Sequence, residues 1–161
     1  PLLFEQIETS RDSLMAYLPW VATTLTADDE INFLTATLKS FGEQRALHLV
    51  IHQADTPVGI ISLNTIDHTL HHKADIGYWL TSSARGKGIM HKSVEAMADI
   101  AFHDYDLNKL TLNAAVTNDA SNHVAEKAGF HLDGILRQED PHHNGDFLDV
   151  NTYSLLRSEW S

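Results

Sequence analysis

Residues 76–90 read Ile-Gly-Tyr-Trp-Leu-Thr-Ser-Ser-Ala-Arg-Gly-Lys-Gly-Ile-Met, an apolar run that passes through a short polar segment into a glycine-rich basic loop. The β-prone residues 74–80 predict a strand that ends before this loop. The pattern after the loop predicts a helix over about 89–103. The segment is therefore a strand–loop–helix unit whose loop lies at the end of a sheet.

The loop in this unit has the composition of an anion site. A helix N-terminus carries unpaired N–H groups and a partial positive charge, so a bound anion is favoured there. Gly86 and Gly88 lack Cβ atoms and let backbone donors approach a phosphate, while Arg85 and Lys87 add positive charge. A tight strand-to-helix turn without any ligand is the alternative, and neither the P-loop nor the dinucleotide-binding spacing is present. The predicted diphosphate loop comprises Arg85, Gly86, Lys87, Gly88, Ile89 and Met90.

Outward from the loop, the remaining pattern predicts a mixed α/β protein. Two helices precede a three-stranded meander, and a β-loop-α-β-α-β-β order follows. The sheet is therefore expected to be partly antiparallel, flanked by helices, in a single domain spanning residues 1–161. The predicted strands are 48–52, 58–63, 74–80, 109–114, 130–136 and 147–156, and the last predicted helix is 121–128.

The first two predicted helices have recognisable ends. The first starts near Leu3 and stops before Pro19. Thr26 and Asp29 resemble a capping box at the start of the second, and Gly42 is its predicted stop. Both helices are expected to cover the sheet with their apolar stripes. These stripes are Leu3, Ile7, Leu14 and Leu18 in the first helix, and Ile31, Leu34, Leu38 and Phe41 in the second.

Composition excludes several classes of function. The 161 residues contain no cysteine, so a disulfide framework, a thiolate nucleophile and a cysteine metal site are all excluded. The formal charge of −11 argues against nucleic-acid binding. It is compatible with a cationic substrate, although solubility alone is the favoured explanation of the charge by itself. No run is apolar enough to span a bilayer and no secretory leader is present, so no membrane association is expected and the cytoplasm is the default compartment.

The sequence resembles the GCN5-related N-acetyltransferases (GNAT superfamily), and in particular the branch that acetylates N-termini of ribosomal proteins. Residues 85–90 are similar to the family's acyl-CoA motif. Most of the family has a small residue at the position of Met90, and the replacement of that small residue is usual in this branch. The similarity extends in order over most of the chain. The other matching segments are 75–80, 118–122, 126–130, 132–134 and 149–154.

The resemblance implies direct transfer from acetyl-CoA to an amine, with no acyl-enzyme and no metal cofactor. It implies that Ser121 is the general acid toward the CoA sulfur, although a serine at this position is also a typical helix N-cap. It implies a carboxylate base in a segment that is one residue longer than in relatives. The base is therefore Glu139 or Asp140, with Glu139 slightly favoured, and solvated carboxylates are the alternative.

The same resemblance assigns the acyl-CoA site to the place where two strands splay, those of residues 74–80 and 109–114. Asn118 and Asn122 are expected to form hydrogen bonds with the pantetheine arm. Asparagine is also common in ordinary turns, which is the alternative explanation for Asn118. Lys127 belongs to a family signature. The residues expected to bind acetyl-CoA outside the diphosphate loop are Trp79, Leu80, Asn118, Asn122 and Lys127.

The acceptor is an amine whose identity the sequence leaves open. A protein N-terminal α-amino group of the ribosomal L7/L12 type is the first expectation. A small amine such as a polyamine, amino acid or aminoglycoside is the second, and a non-catalytic acyl-CoA-binding module is the third. The eleven histidines show no metal-site spacing. Two segments are crowded with histidines that are expected to be surface-loop residues, His68, His71 and His72 in one and His142 and His143 in the other. By resemblance, a homodimer is expected, as is a native N-terminal strand missing from these 161 residues.

Overall fold

The computed structural model describes residues 2–161, which form a six-stranded mixed sheet with helices on both faces. The strand order across the sheet is β1-β2-β3-β4-β6-β5. The strands are β1 (Leu47–Gln53), β2 (Thr56–Asp67), β3 (Lys73–Leu80), β4 (Lys109–Ala115), β5 (His131–Pro141) and β6 (Phe147–Leu156). The helices are α1 (Leu2–Met15), α2 (Ala27–Gly42), α3 (Ile89–Asp99) and α4 (Asp119–Lys127).

Strand direction follows the length of each connection. β1, β2 and β3 form an antiparallel meander joined by short turns. β3 and β4 are parallel because α3 and the π-helical turn Ile100–Asp104 carry the chain back across the sheet. The predicted mixed α/β sheet and its element order are confirmed.

Apolar side chains form a separate cluster on each face of the sheet. The larger cluster packs α3 and α4 against one face, where Leu63, Leu110 and Tyr153 are among its fully buried members. The smaller cluster packs α1 against the other face through Ile7, Val21 and Trp79. No helix within residues 2–161 combines the length and apolarity that a membrane span requires.

The first two helices confirm part of their prediction. The Thr26–Asp29 capping box is present, and α2 ends at Gly42. α1 ends at Met15, so Leu18 lies beyond it, partly buried against the smaller cluster.

The expectation that α2 covers the sheet with its apolar stripe is wrong. Ile31, Leu38 and Phe41 are 48%, 71% and 51% exposed. The inward face of α2 instead follows Glu30 and Leu34, because the helix is rotated by about one residue from its apolar stripe.

Two further predicted boundaries differ from the structure. α4 begins at Asp119 because Asn118 caps it, so Ser121 lies inside the first turn and is not the N-cap. β5 continues to Pro141 through a bulge between Leu136 and Asp140, where Gln138 has a φ of 53°. The bulge shifts the register of β5 against β6 between Leu136 and Asp140, which strand periodicity alone does not reveal.

Candidate active site

A gap between two parallel strands defines the site. β3 and β4 pair from Lys73 and Lys109 only as far as Ile76 and Leu112. Both strands continue beyond that point, β3 to Leu80 and β4 to Ala115. The β3–β4 gap therefore leaves backbone groups of both strands free of each other, as the sequence prediction of a splay requires.

The diphosphate loop lies at the open end of this gap. Gly86 and Gly88 have φ angles of 73° and 74°, in the left-handed region that other residues adopt at a cost. An added Cβ at either glycine would meet no atom within 4 Å, so the space in front of the loop is open. Gly88 is the residue that precedes the first turn of α3. Backbone N–H groups of that turn thus lie at a helix N-terminus beside open space, where an anion is favoured.

The two cations of the loop have different surroundings. Arg85 donates from Nε to the carbonyl oxygen of Leu80 at 3.1 Å, which ties the loop to the end of β3. Partial burial lowers the pKa of the Arg85 guanidinium, which nevertheless remains charged at neutral pH. Lys87 is exposed and forms no ion pair within residues 2–161. Its ammonium is available to an anion.

Helix α1 contacts the segment that leads from β3 into the diphosphate loop. The buried hydroxyls of Ser10 and Thr81 are 2.7 Å apart, and the Ser82 N–H donates to Ser10 Oγ at 3.0 Å. The Thr81 N–H donates to the carbonyl of Val58 at 2.7 Å. The contacts from Ser10 were not predicted from the sequence, because they join residues 71 and 72 positions apart.

Ser121 faces β3 from the first turn of α4. Its Oγ lies 2.8 Å from the Tyr78 hydroxyl, and its N–H donates to the Asn118 side chain at 3.3 Å. Tyr78 lies on the face of β3 that packs against α3 and α4. It shares this face with Ile76 and Leu80 of the larger cluster, because every second residue of a strand points the same way. The sequence singled out Tyr78 only as part of a motif and assigned it no role.

The Asn122 side-chain amide forms four hydrogen bonds within the protein. Its Nδ2 donates to the carbonyls of Ala115 and Asn118 at 2.9 and 2.8 Å. Its Oδ1 accepts from Asn151 Nδ2 at 2.8 Å and from the Tyr153 hydroxyl at 2.7 Å. All four bonding positions of the amide are filled. A bond from Asn122 to a pantetheine arm stays a prediction that would require one of these bonds to break.

The side chains of several other residues that were predicted to bind acetyl-CoA are packed in the protein core. Trp79, Leu80 and Met90 are 7%, 8% and 7% exposed, so their side chains belong to the two apolar clusters. Ile89 is half-buried at the start of α3. Lys127 is exposed at the end of α4, where its carbonyl oxygen lies 3.3 Å from His91 Nε2 in the first turn of α3. Lys127 therefore lies near the diphosphate loop.

An acidic group that the sequence did not single out lies on the opposite face of the gap. Asp75 precedes the last paired residue of β3 and shares the face of Trp79, toward α1. Thr111 Oγ1 donates to it at 3.1 Å. Burial raises the pKa of Asp75 to about 6, the Thr111 bond opposes this rise, and the negative charge of Asp140 adds to it. The available signal was a lone acid between the apolar residues Ala74 and Ile76.

The electrostatic effect on Asp75 distinguishes the two predicted bases. Glu139 and Asp140 are both exposed in β5, next to the bulge. The negative charge of Asp140 adds to the raised pKa of Asp75, and Glu139 is not among the causes of that rise. The choice between Glu139 and Asp140 as the base stays a prediction, and this electrostatic effect points to Asp140.

The histidines do not assemble into a metal site. Within the part of the chain that the structure describes, no three histidine, cysteine or acidic side chains form a group that could hold a metal ion. His71 bonds Asp67 at 2.7 Å, and His68 stacks on Tyr105 with ring centroids 5.7 Å apart.

Residues 1–131 match the model of the acetyltransferase (GNAT) domain, and the chain belongs to this family. It is similar to the ribosomal-protein-serine acetyltransferase of Escherichia coli (strain K12), with 29% identity over 96% of this chain and 85% of that protein. It is also similar to a Bacillus subtilis (strain 168) protein named "Putative ribosomal N-acetyltransferase YdaF", with 38% identity over 63% of this chain. That match spans only 55% of the Bacillus protein.

A solved structure resembles the whole fold. It is the ribosomal L7/L12 α-N-protein acetyltransferase RimL in complex with coenzyme A, with a TM-score of 0.93 and 27% identity. The similarity covers 99% of this chain and 89% of that one. The predicted family, fold and enzyme class are confirmed, and the coenzyme A in this neighbour agrees with the predicted donor.

Proposed function

We propose that this protein transfers the acetyl group of acetyl-CoA directly to a protein N-terminal α-amino group. The observation that carries the proposal is the β3–β4 gap, which has a hydroxyl pair on one face and a partly buried carboxyl group beside it on the other. The pair is Tyr78 and Ser121, and the carboxyl group is that of Asp75, whose pKa the charge of Asp140 helps to raise. A thioester in the gap would have a proton donor on one side and an amine site on the other.

The donor site would be built by this chain in two parts. The first turn of α3, Arg85 and Lys87 would hold the diphosphate, and the unpaired backbone of β3 and β4 would hold the pantetheine arm. Acetyl-CoA supplies the activated acyl group. Ser121 lies on the α4 face, where its hydroxyl would meet negative charge that develops on sulfur.

The acceptor would approach from the α1 face. An amine must be neutral to attack, so a base has to receive its proton. Asp140 is an exposed carboxylate whose charge acts on Asp75 of this face, and we assign the base role to it. The charge of −11 would further attract a cationic N-terminus.

The named activities of the relatives support a ribosomal-protein acceptor of the L7/L12 type. Small-amine acetylation and acyl-CoA binding without turnover are the alternatives. An acceptor panel with acetyl-CoA, followed by mass spectrometry, tests all three. We expect a peptide with a free N-terminal serine to gain one acetyl group, and polyamines, free amino acids and aminoglycosides to gain none.

Two controls make this panel specific. The same peptide with a blocked N-terminus and one internal lysine should gain nothing, because its only amine is an ε-amino group. Acetylation restricted to small amines would contradict the proposed acceptor. Binding of acetyl-CoA with no acetylated product in the panel would contradict the proposed reaction.

The homodimer, the single-domain organisation and the cytoplasmic location remain part of this proposal. Sedimentation of the protein with and without CoA would test the dimer.

A further inference from the structure

Tyr78 and Ser121 form a side-chain pair that joins β3 to α4 across the gap. Their hydroxyl oxygens are 2.8 Å apart, and the Tyr78 hydroxyl also points at the Ser121 carbonyl oxygen at 3.4 Å. Both residues are half-buried and are 43 positions apart in the sequence. The expected role of Ser121 does not account for its tyrosine partner.

Distance indicates which acceptor the Tyr78 proton takes. The single Tyr78 O–H has two acceptors in reach on Ser121, the carbonyl oxygen at 3.4 Å and Oγ at 2.8 Å, and the shorter distance favours Oγ. Ser121 Oγ has no hydrogen-bond partner other than Tyr78 among residues 2–161. By contrast, Ser93 in α3 donates to the Ile89 carbonyl of its own helix at 2.9 Å. The Ser121 proton is therefore left for an acceptor outside the chain.

The environment of Tyr78 keeps its phenol protonated. Burial raises the pKa of Tyr78 to about 12, although the bond to Ser121 opposes that rise. A phenol with this pKa holds its proton throughout the physiological range. Tyr78 can therefore donate a hydrogen bond continuously without itself losing a proton.

We propose that Tyr78 is a positioning residue, whose phenol donates to Ser121 Oγ and so directs the Ser121 proton toward the CoA sulfur in the β3–β4 gap. This inference rests on the proposed function. In the transfer, a C–N bond forms and the thioester C–S bond breaks, so the electron pair of the C–S bond goes to sulfur. The proton that the amine releases goes to the carboxylate base, and the departing thiolate accepts a hydrogen bond from Ser121, which undergoes no net proton loss. Tyr78 undergoes no net proton transfer.

Polarisation gives Tyr78 an effect that mere packing would not have. A hydroxyl that accepts one hydrogen bond becomes a stronger donor in the next. Ser121 should therefore stabilise a thiolate more strongly when Tyr78 donates to it. The pKa of the thiol of bound CoA reports this stabilisation directly and needs no acceptor amine.

The test is a pH titration of the thiolate absorbance of CoA bound to the protein, with desulfo-CoA as the reference. The chain has no cysteine, so no protein thiol contributes. We expect Tyr78→Phe to raise the pKa of the bound thiol by about one unit, the size of one charge-assisted hydrogen bond. Ser121→Ala should raise it at least as much, and the double variant no further than Ser121→Ala alone.

Tyr105→Phe is the matched control, because it removes a hydroxyl from a tyrosine that stacks on His68 instead. It should leave the thiol pKa unchanged. An unchanged pKa in Tyr78→Phe, or additive effects in the double variant, would overturn the positioning role. If Tyr78→Phe does not fold, difluorotyrosine at position 78 replaces it, since a more acidic phenol should lower the thiol pKa and no change would overturn the inference.

These outcomes separate the inference from the proposed function. Failure of CoA to bind the unaltered protein overturns both. CoA binding with a Tyr78-dependent thiol pKa but no peptide acetylation overturns the acceptor assignment and leaves the Tyr78 role supported.

Discussion

Asp75 is the acid that the sheet partly buries beside the β3–β4 gap, and its protonation should affect stability. Its pKa is raised from 3.8 to about 6, so the folded protein binds this proton more tightly than the unfolded chain does. Stability is therefore lost as pH rises from about 4 through about 6, and the loss is complete above that range. The cost at neutral pH is at most roughly 3 kcal/mol, because a pKa difference of one unit between the folded and unfolded states corresponds to about 1.4 kcal/mol.

We expect Asp75→Asn to be more stable than the unaltered protein at pH 7.5, with the difference shrinking toward zero near pH 4. The asparagine Oδ1 can still accept from Thr111, so only the charge is removed. Urea unfolding of both proteins at several pH values measures the difference. A stability difference that does not change with pH would contradict the ionisation of Asp75 as its cause.

Asp140 and Glu139 provide a matched pair for the base. Asp140→Asn should lower kcat by a factor on the order of 10²–10⁴, the usual contribution of a general base. Glu139→Gln changes the neighbouring carboxylate in the same way and should have little effect, because Asp140 and not Glu139 is among the causes of the raised pKa of Asp75. Steady-state kinetics with a serine-initiated peptide compares the two. A loss confined to Glu139→Gln would restore the preference drawn from the sequence.

Gly88 tests the diphosphate loop. Gly88→Glu places a carboxylate in the open space before α3, where an anion is expected, and should abolish CoA binding measured by calorimetry. Gly145→Glu is the control, because Gly145 has a φ of 90°, similarly open surroundings and a position in the β5–β6 connection. Both variants have similar backbone strain, so equal loss of affinity in the two would reject the loop as the binding site.

Helix α1 stabilises the donor site through hydrogen bonds between Ser10 and the segment that precedes the diphosphate loop. Ser10→Ala removes the partner of the buried Thr81 hydroxyl and of the Ser82 N–H. We expect a loss of about 1–3 kcal/mol of unfolding free energy, since a buried polar group is left unpaired. A weaker affinity for CoA should accompany it. Ser13→Ala removes an exposed contact to Ser82 from the same helix and should cost much less. Equal losses in denaturant unfolding would contradict this account.

The whole molecule carries a charge of −11, and this charge should affect acceptor capture. For a lysine-rich peptide acceptor, kcat/KM should fall by a factor on the order of ten as salt rises from low to high ionic strength. An acidic peptide with the same first residue should show no such fall. Initial rates at several salt concentrations measure both. A salt dependence that is equal for the two peptides would mean that the net charge does not steer the acceptor.

Much of this molecule was predictable from near neighbours in the sequence. The capping box of α2 and the meander depend on residues within a few positions of each other. The loop at 85–90 depends on glycines that take positive φ angles, which is a property of those residues alone. Local chemistry therefore indicated the element order and the donor loop.

Other features depended on how distant elements pack. Periodicity revealed the apolar stripe of α2 but not the rotation that exposes it. The bulge in β5 and the electrostatic contact from Asp140 to Asp75 arise from strand register, which no single segment contains. The Tyr78–Ser121 pair joins positions 43 residues apart. Local pattern thus determined the element order, the mixed α/β class and the anion-binding loop, because short-range forces act within each element, and the resemblance along the chain indicated the family and the donor. Long-range packing alone determined the partner of Ser121 and the electrostatic effect of Asp140 on Asp75.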